Sequence, residues 1–149
     1  MLVKVERCAM GSLRGWIPNT SQGREAAVFD QRIRYVMERK KILTAPPQTS
    51  VRDAARLMAR KKVGAVMVVE DKRLVGIFTE RDAVFRVVAR GRDAQATPLA
   101  EVMTPAPHTM TPDELFGHAL LVMHENGFRH MPIVENGEPV GIVSSRKAL

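Results

Sequence analysis

The sequence predicts a mixed α/β (α+β) fold made of two tandem β-α-β-β-α units packed pseudo-symmetrically through their sheets. Three observations carry that expectation. The chain repeats itself: Pro47, Ala54, Met58, Val69-Glu70, Val75-Gly76-Ile77 and Arg81 return 65 residues later as Pro112, Ala119, Met123, Val134-Glu135, Val140-Gly141-Ile142 and Arg146. A unit this short has little interior of its own and must bury its apolar face against its copy. Each copy also holds one stretch of helical periodicity followed by two β-rich runs joined by a tight turn. Finally, apolar residues make up 45% of the 149-residue chain and aromatics only 5%, so Val, Ile, Leu, Met and Ala must build the core.

Residues 1–30 read as an irregular, flexible leader, because Gly11, Ser12, Gly15, Pro18, Asn19, Ser21 and Gly23 break any periodicity. Trp16-Ile17 could dock it, although a tail without that role is the simpler reading. The first unit with its lead-in helix spans 31–93. Residues 30–41 form a short basic helix with Ile33, Val36 and Met37 on one side. Ile42-Leu43-Thr44 is a short extended run stopped by Pro46-Pro47. Ser50 is a good N-cap for a helix carrying Val51, Ala54, Leu57 and Met58. A buried strand over 65–69, a turn at Asp71-Lys72-Arg73 and a partner strand over 74–78 make a hairpin. A second helix runs from about Glu80 to about Arg90.

The linker and second unit span 94–149. After a polar linker over 91–98, residues 100–103 repeat the lead-in helix, and Thr109-Met110 is the second extended run. Pro112-Asp113-Glu114 opens the helix carrying Leu115, Phe116, Ala119, Val122 and Met123, and Asn126-Gly127 ends it. Strands follow over 130–134 and 139–143, joined at Asn136-Gly137. The last helix begins at Ser145 and stops almost at once, so this copy reads as naturally short or truncated.

The lone Cys8 excludes an intramolecular disulfide framework and suits a reducing compartment. No stretch reaches the ~20 apolar residues of a membrane span, and the N-terminus lacks the apolar core of a secretory signal. The expected location is cytoplasmic. The net charge of +7 favours anionic partners without choosing among them, and Arg52, Arg56, Arg60 and Lys61 read first as a solvated helix face. His108, His118, His124 and His130 are not spaced as a metal site, and no nucleophile triad, Walker loop or dinucleotide fingerprint occurs. The sequence offers no catalytic constellation and requires no cofactor.

The chemistry concentrates at the strand-to-helix junction Gly76-Ile77-Phe78-Thr79-Glu80-Arg81-Asp82. A helix N-terminus offers free N–H groups and a positive dipole end to a phosphorylated ligand. Asp82 lies three residues after Thr79, on the same side, and a carboxylate there can accept both hydroxyls of a ribose. Thr79 with Asp82 is equally a capping box that needs no ligand. The second copy keeps the cap hydroxyl as Ser144 but has Lys147 at the carboxylate position, which with Arg146 can face phosphates. Arg129-His130-Met131-Pro132 opens the central strand of copy two where copy one has Gly64-Ala65-Val66-Met67, so Arg129 and His130 can hold phosphate oxygens or be an exposed Arg and a satisfied edge His.

These residues closely resemble a tandem pair of cystathionine β-synthase (CBS) domains, the Bateman module. The resemblance rests on V-G-I-F-T-E-R-D at one junction and R-H-M-P-I-V-E-N-G-E-P-V-G-I-V-S-S in the second copy, and covers about residues 33–149. It implies two clefts between the copies, a regulatory module without catalysis of its own, a homodimer, and an adenosyl ligand: AMP, ADP or ATP, with NAD(H) or S-adenosylmethionine as other members of the class. It implies an unidentified effector protein and no membrane. The family's Gly-x-x-Thr/Ser-x-x-Asp motif matches Gly76, Thr79 and Asp82. By resemblance the first cleft uses Gly76, Phe78, Thr79, Glu80, Arg81 and Asp82 of copy one with His108, Thr109, Met110, Arg129, His130 and Pro132 of copy two, and Ser144, Arg146 or Lys147 near the phosphates. The second cleft draws on Leu43, Thr44, Lys61, Lys62, Gly64 and Ala65. Lys147 stands where it needs an Asp, so it is expected to be empty, weaker or altered. The competing reading is a protein or nucleic-acid interaction module using Arg32, Arg34, Arg39, Lys40 and Lys41 of the lead-in helix, with nucleic acid the less favoured partner.

Overall fold

The computed structural model describes residues 27–148, with side chains through Arg146. The leader expected before residue 27, including Trp16-Ile17 and Cys8, lies outside the described residues, as does the side chain of Lys147.

In the first copy, helix α2 (Val51–Lys61) starts where the Ser50 hydroxyl accepts the Asp53 N–H at 3.1 Å, and stops at Lys62, whose φ of 55° is left-handed. Its Val51, Ala54 and Met58 are buried. Strands β2 (Ala65–Glu70) and β3 (Arg73–Thr79) pair antiparallel through a turn in which Asp71 and Lys72 both have positive φ, 48° and 65°. That is the backbone a two-residue hairpin with native twist requires. Strand β1 (Thr44–Ala45) pairs parallel with β2. The second copy repeats the plan. Helix α5 (Phe116–Asn126) ends at Gly127, and β5 (His130–Glu135) and β6 (Glu138–Ser144) pair through Asn136-Gly137. Met110 bridges Ile133 in parallel, the counterpart of β1 on β2.

Each copy receives its lead-in from the other. Helix α1 (Ile33–Val36) precedes copy one, yet Ile33 and Met37 pack in the cluster of Phe116, Met123, Met131 and Ile133. Helix α4 (Leu99–Val102) precedes copy two, yet Leu99 and Val102 pack with Val66, Phe78 and Val87. The backbone repeats the exchange: Leu99 N–H donates to the Thr49 carbonyl and Ile33 N–H to that of Glu114, each at 2.9 Å. Strand β4 (Thr104–Pro105) pairs antiparallel with β3 and closes a sheet ordered β1-β2-β3-β4, while Glu38 bridges Ile142 on β6. The two hairpins also touch, with Leu74 N–H donating to the Gly137 carbonyl at 3.0 Å.

Four expectations differ from the structure. The basic helix expected over 30–41 is helical only at Ile33–Val36 within that span, because Met37 is extended and Glu38 pairs with β6. The second helix of copy one covers the expected residues with three pitches: α3 (Glu80–Asp82), a π-helical stretch Ala83–Val87 and a 3-10 turn Val88–Arg90. Helix α5 begins after Leu115 rather than at Pro112, since the Thr111 N–H is taken by the Glu114 carboxylate at 2.7 Å in a preceding turn. The last helix is a 3-10 turn, Ser145–Ala148.

Candidate functional site

The two strand-to-helix junctions face the opposite copy, and each begins the same way. Glu80 N–H donates to the Gly64 carbonyl and Ser145 N–H to the Arg129 carbonyl, both at 3.1 Å, and Gly64 and Arg129 are repeat counterparts. At the first junction Thr79 is extended and its capping box is complete. The Asp82 carboxylate Oδ2 accepts the Thr79 N–H at 2.8 Å and the Thr79 hydroxyl at 2.9 Å. The second oxygen, Oδ1, lies 3.3 Å from Arg86 Nε. Asp82 is 8% exposed, a buried carboxylate in the first turn of an otherwise exposed helix start.

Asp82 lines a cleft of about 460 Å³ between the copies, within the roughly 300–1,000 Å³ of small-molecule sites. Copy one contributes Ile77, Thr79, Glu80, Arg81, Asp82 and Arg86. The facing wall comes from the crossing segment, with Thr104, Ala106, Pro107 and His108, and from the end of α5 through His130. His108 stacks on Phe128 with ring centres 5.5 Å apart and planes 20° apart. Arg81 reaches across the copies to donate to the Gly127 carbonyl at 2.8 Å. The cleft thus joins one buried carboxylate, apolar surface and several basic groups, a set suited to a flat ring, a polyhydroxyl group and an anionic tail.

A smaller cleft of about 230 Å³ is lined by Lys41, Leu43, Lys62, Ala65, Ser144 and Arg146 among others. Gly64, Glu80, Arg129 and His130 line both. A Cβ on Gly64 would sit 3.2 Å from the His130 ring and 3.3 Å from the Glu80 carboxyl carbon, so the shared wall is tightly packed. Burial lowers the pKa of His130; Glu80 opposes the shift, and Arg129 and Arg146 add to it. His130 is therefore a neutral ring near pH 7.

Of the residues assigned to the first cleft, Thr79, Glu80, Arg81, Asp82, His108, Arg129 and His130 line it together. Gly76 and Phe78 do not: Phe78 is core, and Gly76 is buried against Met103, whose sulfur occupies the space a Cβ would need. Thr109, Met110 and Pro132 also stay off the lining; Met110 is buried in the copy-two core and Pro132 is buried within strand β5. Ser144 and Arg146 line the smaller cleft instead, because each junction faces the other copy's central strand. Leu43, Lys62, Gly64 and Ala65 line that cleft, while Thr44 and Lys61 do not. Arg86, Pro107 and Phe128 were missed, although Arg86 stands four residues after Asp82, the spacing of a helical ion pair.

The lead-in arginines are engaged within the fold. Arg34 forms an ion pair with Asp113, Arg32 donates to the Asp113 carbonyl and Arg39 to the Arg34 carbonyl. Among the described residues no group of three or more His, Cys, Asp and Glu could hold a metal ion, and no helix is long and apolar enough to cross a membrane.

The model of the CBS domain matches residues 33–89 and 99–149. The chain is similar to the CBS domain-containing protein CBSCBSPB3 of Arabidopsis thaliana, 40% identical over 110 residues that cover 73% of this chain and 20% of that protein. It is also similar to the CBS domain-containing protein YhcV of Bacillus subtilis, 38% identical over 103 residues, 69% of this chain and 73% of that one. The chain thus spans about a fifth of the length of that Arabidopsis relative. Its backbone resembles that of the CBS domain protein PAE2072 from Pyrobaculum aerophilum complexed with AMP, with a TM-score of 0.71, 27% identity, and coverage of 78% of this chain and 89% of that one.

Proposed function

The chain belongs to the CBS domain family, with two CBS domains in tandem, and on that premise we propose that it is a regulatory module binding one adenine nucleotide in the larger cleft. The observation that carries this reading is the placement of Asp82 and Thr79 on one wall and Arg129 and His130 on the other wall of a single 460 Å³ cleft. In this reading Asp82 accepts a ribose hydroxyl, the adenine lies on the apolar surface of Ile77 and Pro107, and Arg81, Arg129 and His130 receive the phosphates. The AMP complex of PAE2072 supports an adenosyl ligand. AMP, ADP and ATP fit the basic wall best, with NAD(H) and S-adenosylmethionine the other members of the class. The smaller cleft is the weaker site.

The module acts without catalysis of its own, as a homodimer and through an effector protein. A ligand bridging the copies favours one relative arrangement of them, and shifts that equilibrium only by its difference in affinity for the two states. The test is a thermal-shift screen of AMP, ADP, ATP, NAD(H), S-adenosylmethionine and an oligonucleotide. A ligand at 100 times its Kd adds about 2.7 kcal/mol. Stabilisation by an adenosyl compound, lost in Asp82→Asn, is the expected result. Stabilisation by the oligonucleotide alone would turn attention to the basic surface.

A further inference from the structure

We propose that Arg86 is a positioning residue for the larger cleft: it holds the second oxygen of Asp82 in place for the 2′-hydroxyl of a ribose and so sets the preference for ribose over 2′-deoxyribose. The inference rests on the reading of that cleft as an adenine-nucleotide site.

The two oxygens of Asp82 have different tasks. Oδ2 is occupied by the cap, accepting the N–H and the hydroxyl of Thr79. Oδ1 takes no part in the cap and lies 3.3 Å from Arg86 Nε. A carboxylate oxygen accepts about two hydrogen bonds, so Oδ1 keeps capacity for a ligand hydroxyl while Arg86 fixes its direction.

Arg86 is itself fixed from the far side. Its Nη1 donates to the Val102 carbonyl at 3.0 Å and to the Met103 carbonyl at 2.8 Å. Those carbonyls stand at the end of α4, just before Thr104–Pro105 lead into the wall formed by Ala106, Pro107 and His108. One guanidinium therefore joins the carboxylate to the segment that forms the opposite side of the cleft. A planar fork can bond both at once; an ammonium is a single point charge on a flexible stem. Arg86 also sits in the π-helical stretch Ala83–Val87, a departure from α geometry frequent at functional sites.

The plainer role is a strap that fastens the helix to Val102 and Met103 and has no bearing on the ligand. The two roles separate in the choice between AMP and 2′-deoxy-AMP, which differ only at one hydroxyl that Asp82 would accept. Calorimetric titration of both into wild type, Arg86→Gln and Arg86→Lys, with thermal melts as controls, decides between them. Wild type should prefer AMP by about tenfold, the scale of one hydrogen bond to a charged group. Arg86→Gln should lose most of its AMP affinity and little of its 2′-deoxy-AMP affinity, so the ratio falls toward one. Arg86→Lys should fold and fall between, and it carries the same comparison if the Gln variant does not fold. Equal weakening of both ligands in the variants, or an unchanged ratio, overturns the role of Arg86 while leaving the cleft as a nucleotide site. Failure of wild type to bind AMP overturns the inference together with the reading beneath it.

Discussion

The carboxylate of Asp82 accepts both the N–H and the hydroxyl of Thr79, so the pair that faces the larger cleft is also the cap of its own helix. Capping and ligand binding are therefore not alternatives at this junction. One oxygen serves the fold and the other is left toward Arg86 and the cleft.

Two substitutions at Asp82 separate those tasks. Asp82→Ala removes both, and should lower stability by about 0.5–2 kcal/mol, as for other lost caps, and abolish nucleotide binding. Asp82→Asn retains an acceptor for the Thr79 N–H and should cost less, yet lose binding as completely. Urea melts and calorimetric titration of both variants check this.

Gly76 and Gly141 serve packing. A Cβ on Gly76 meets the sulfur of Met103, and one on Gly141 meets the sulfur of Met37 at 2.6 Å. Each methionine comes from the lead-in of the other copy. Gly76→Ala should destabilise by about 1–3 kcal/mol through overpacking. The double variant Gly76→Ala/Met103→Ala should be more stable than the sum of its single changes by about 1 kcal/mol. Urea denaturation of the four proteins in this cycle measures the coupling.

His130 makes stability depend on pH. Burial holds its folded pKa below the usual value, with Arg129 and Arg146 reinforcing and Glu80 opposing. The unfolded chain takes up the proton first as pH falls, near about 6.5. The stability due to the neutral ring is complete above that pH and is lost as pH falls through the lowered folded value. Urea melts from about pH 5 to 8 should show wild type losing stability on acidification more steeply than His130→Gln, with parallel behaviour at the alkaline end.

Local chemistry was legible in the sequence and exchange between the copies was not. Ser50 announced the start of one helix, Asn126-Gly127 the end of another, and Asn136-Gly137 a hairpin, because each acts on its own neighbours. The partners of Thr79 and Asp82 were legible for the same reason, since the box closes within four residues. What escaped depends on contacts between segments far apart in the chain. Helical periodicity at Ile33, Val36 and Met37 could not reveal that Glu38 leaves the helix to pair with Ile142. A repeat says which residues correspond, not which copy they face, so it could not reveal that Ser144 and Arg146 line the smaller cleft. Nor could the junction motif reveal that its glycine, Gly76, packs against Met103 from the other copy's lead-in.

The repeat also exposes an uncapped helix. Helix α2 begins at Ser50, whereas its counterpart α5 begins at Leu115, which makes no side-chain cap and is 48% exposed. Ser50→Ala should cost about 1 kcal/mol, and Leu115→Asp should gain about 0.5–1 kcal/mol by supplying the missing acceptor. Thermal or urea midpoints of the two variants, moving in opposite directions, check this pair.

The most direct test of the nucleotide site is a map of backbone amide chemical-shift changes as AMP is titrated into the full chain. Binding in the larger cleft should move the amides of Thr79, Arg81, Asp82, His108, Phe128 and Arg129 and leave those of Arg32, Arg34 and Arg39 in place. Shifts confined to the lead-in segment, or none at saturating AMP, would contradict a nucleotide site between the copies.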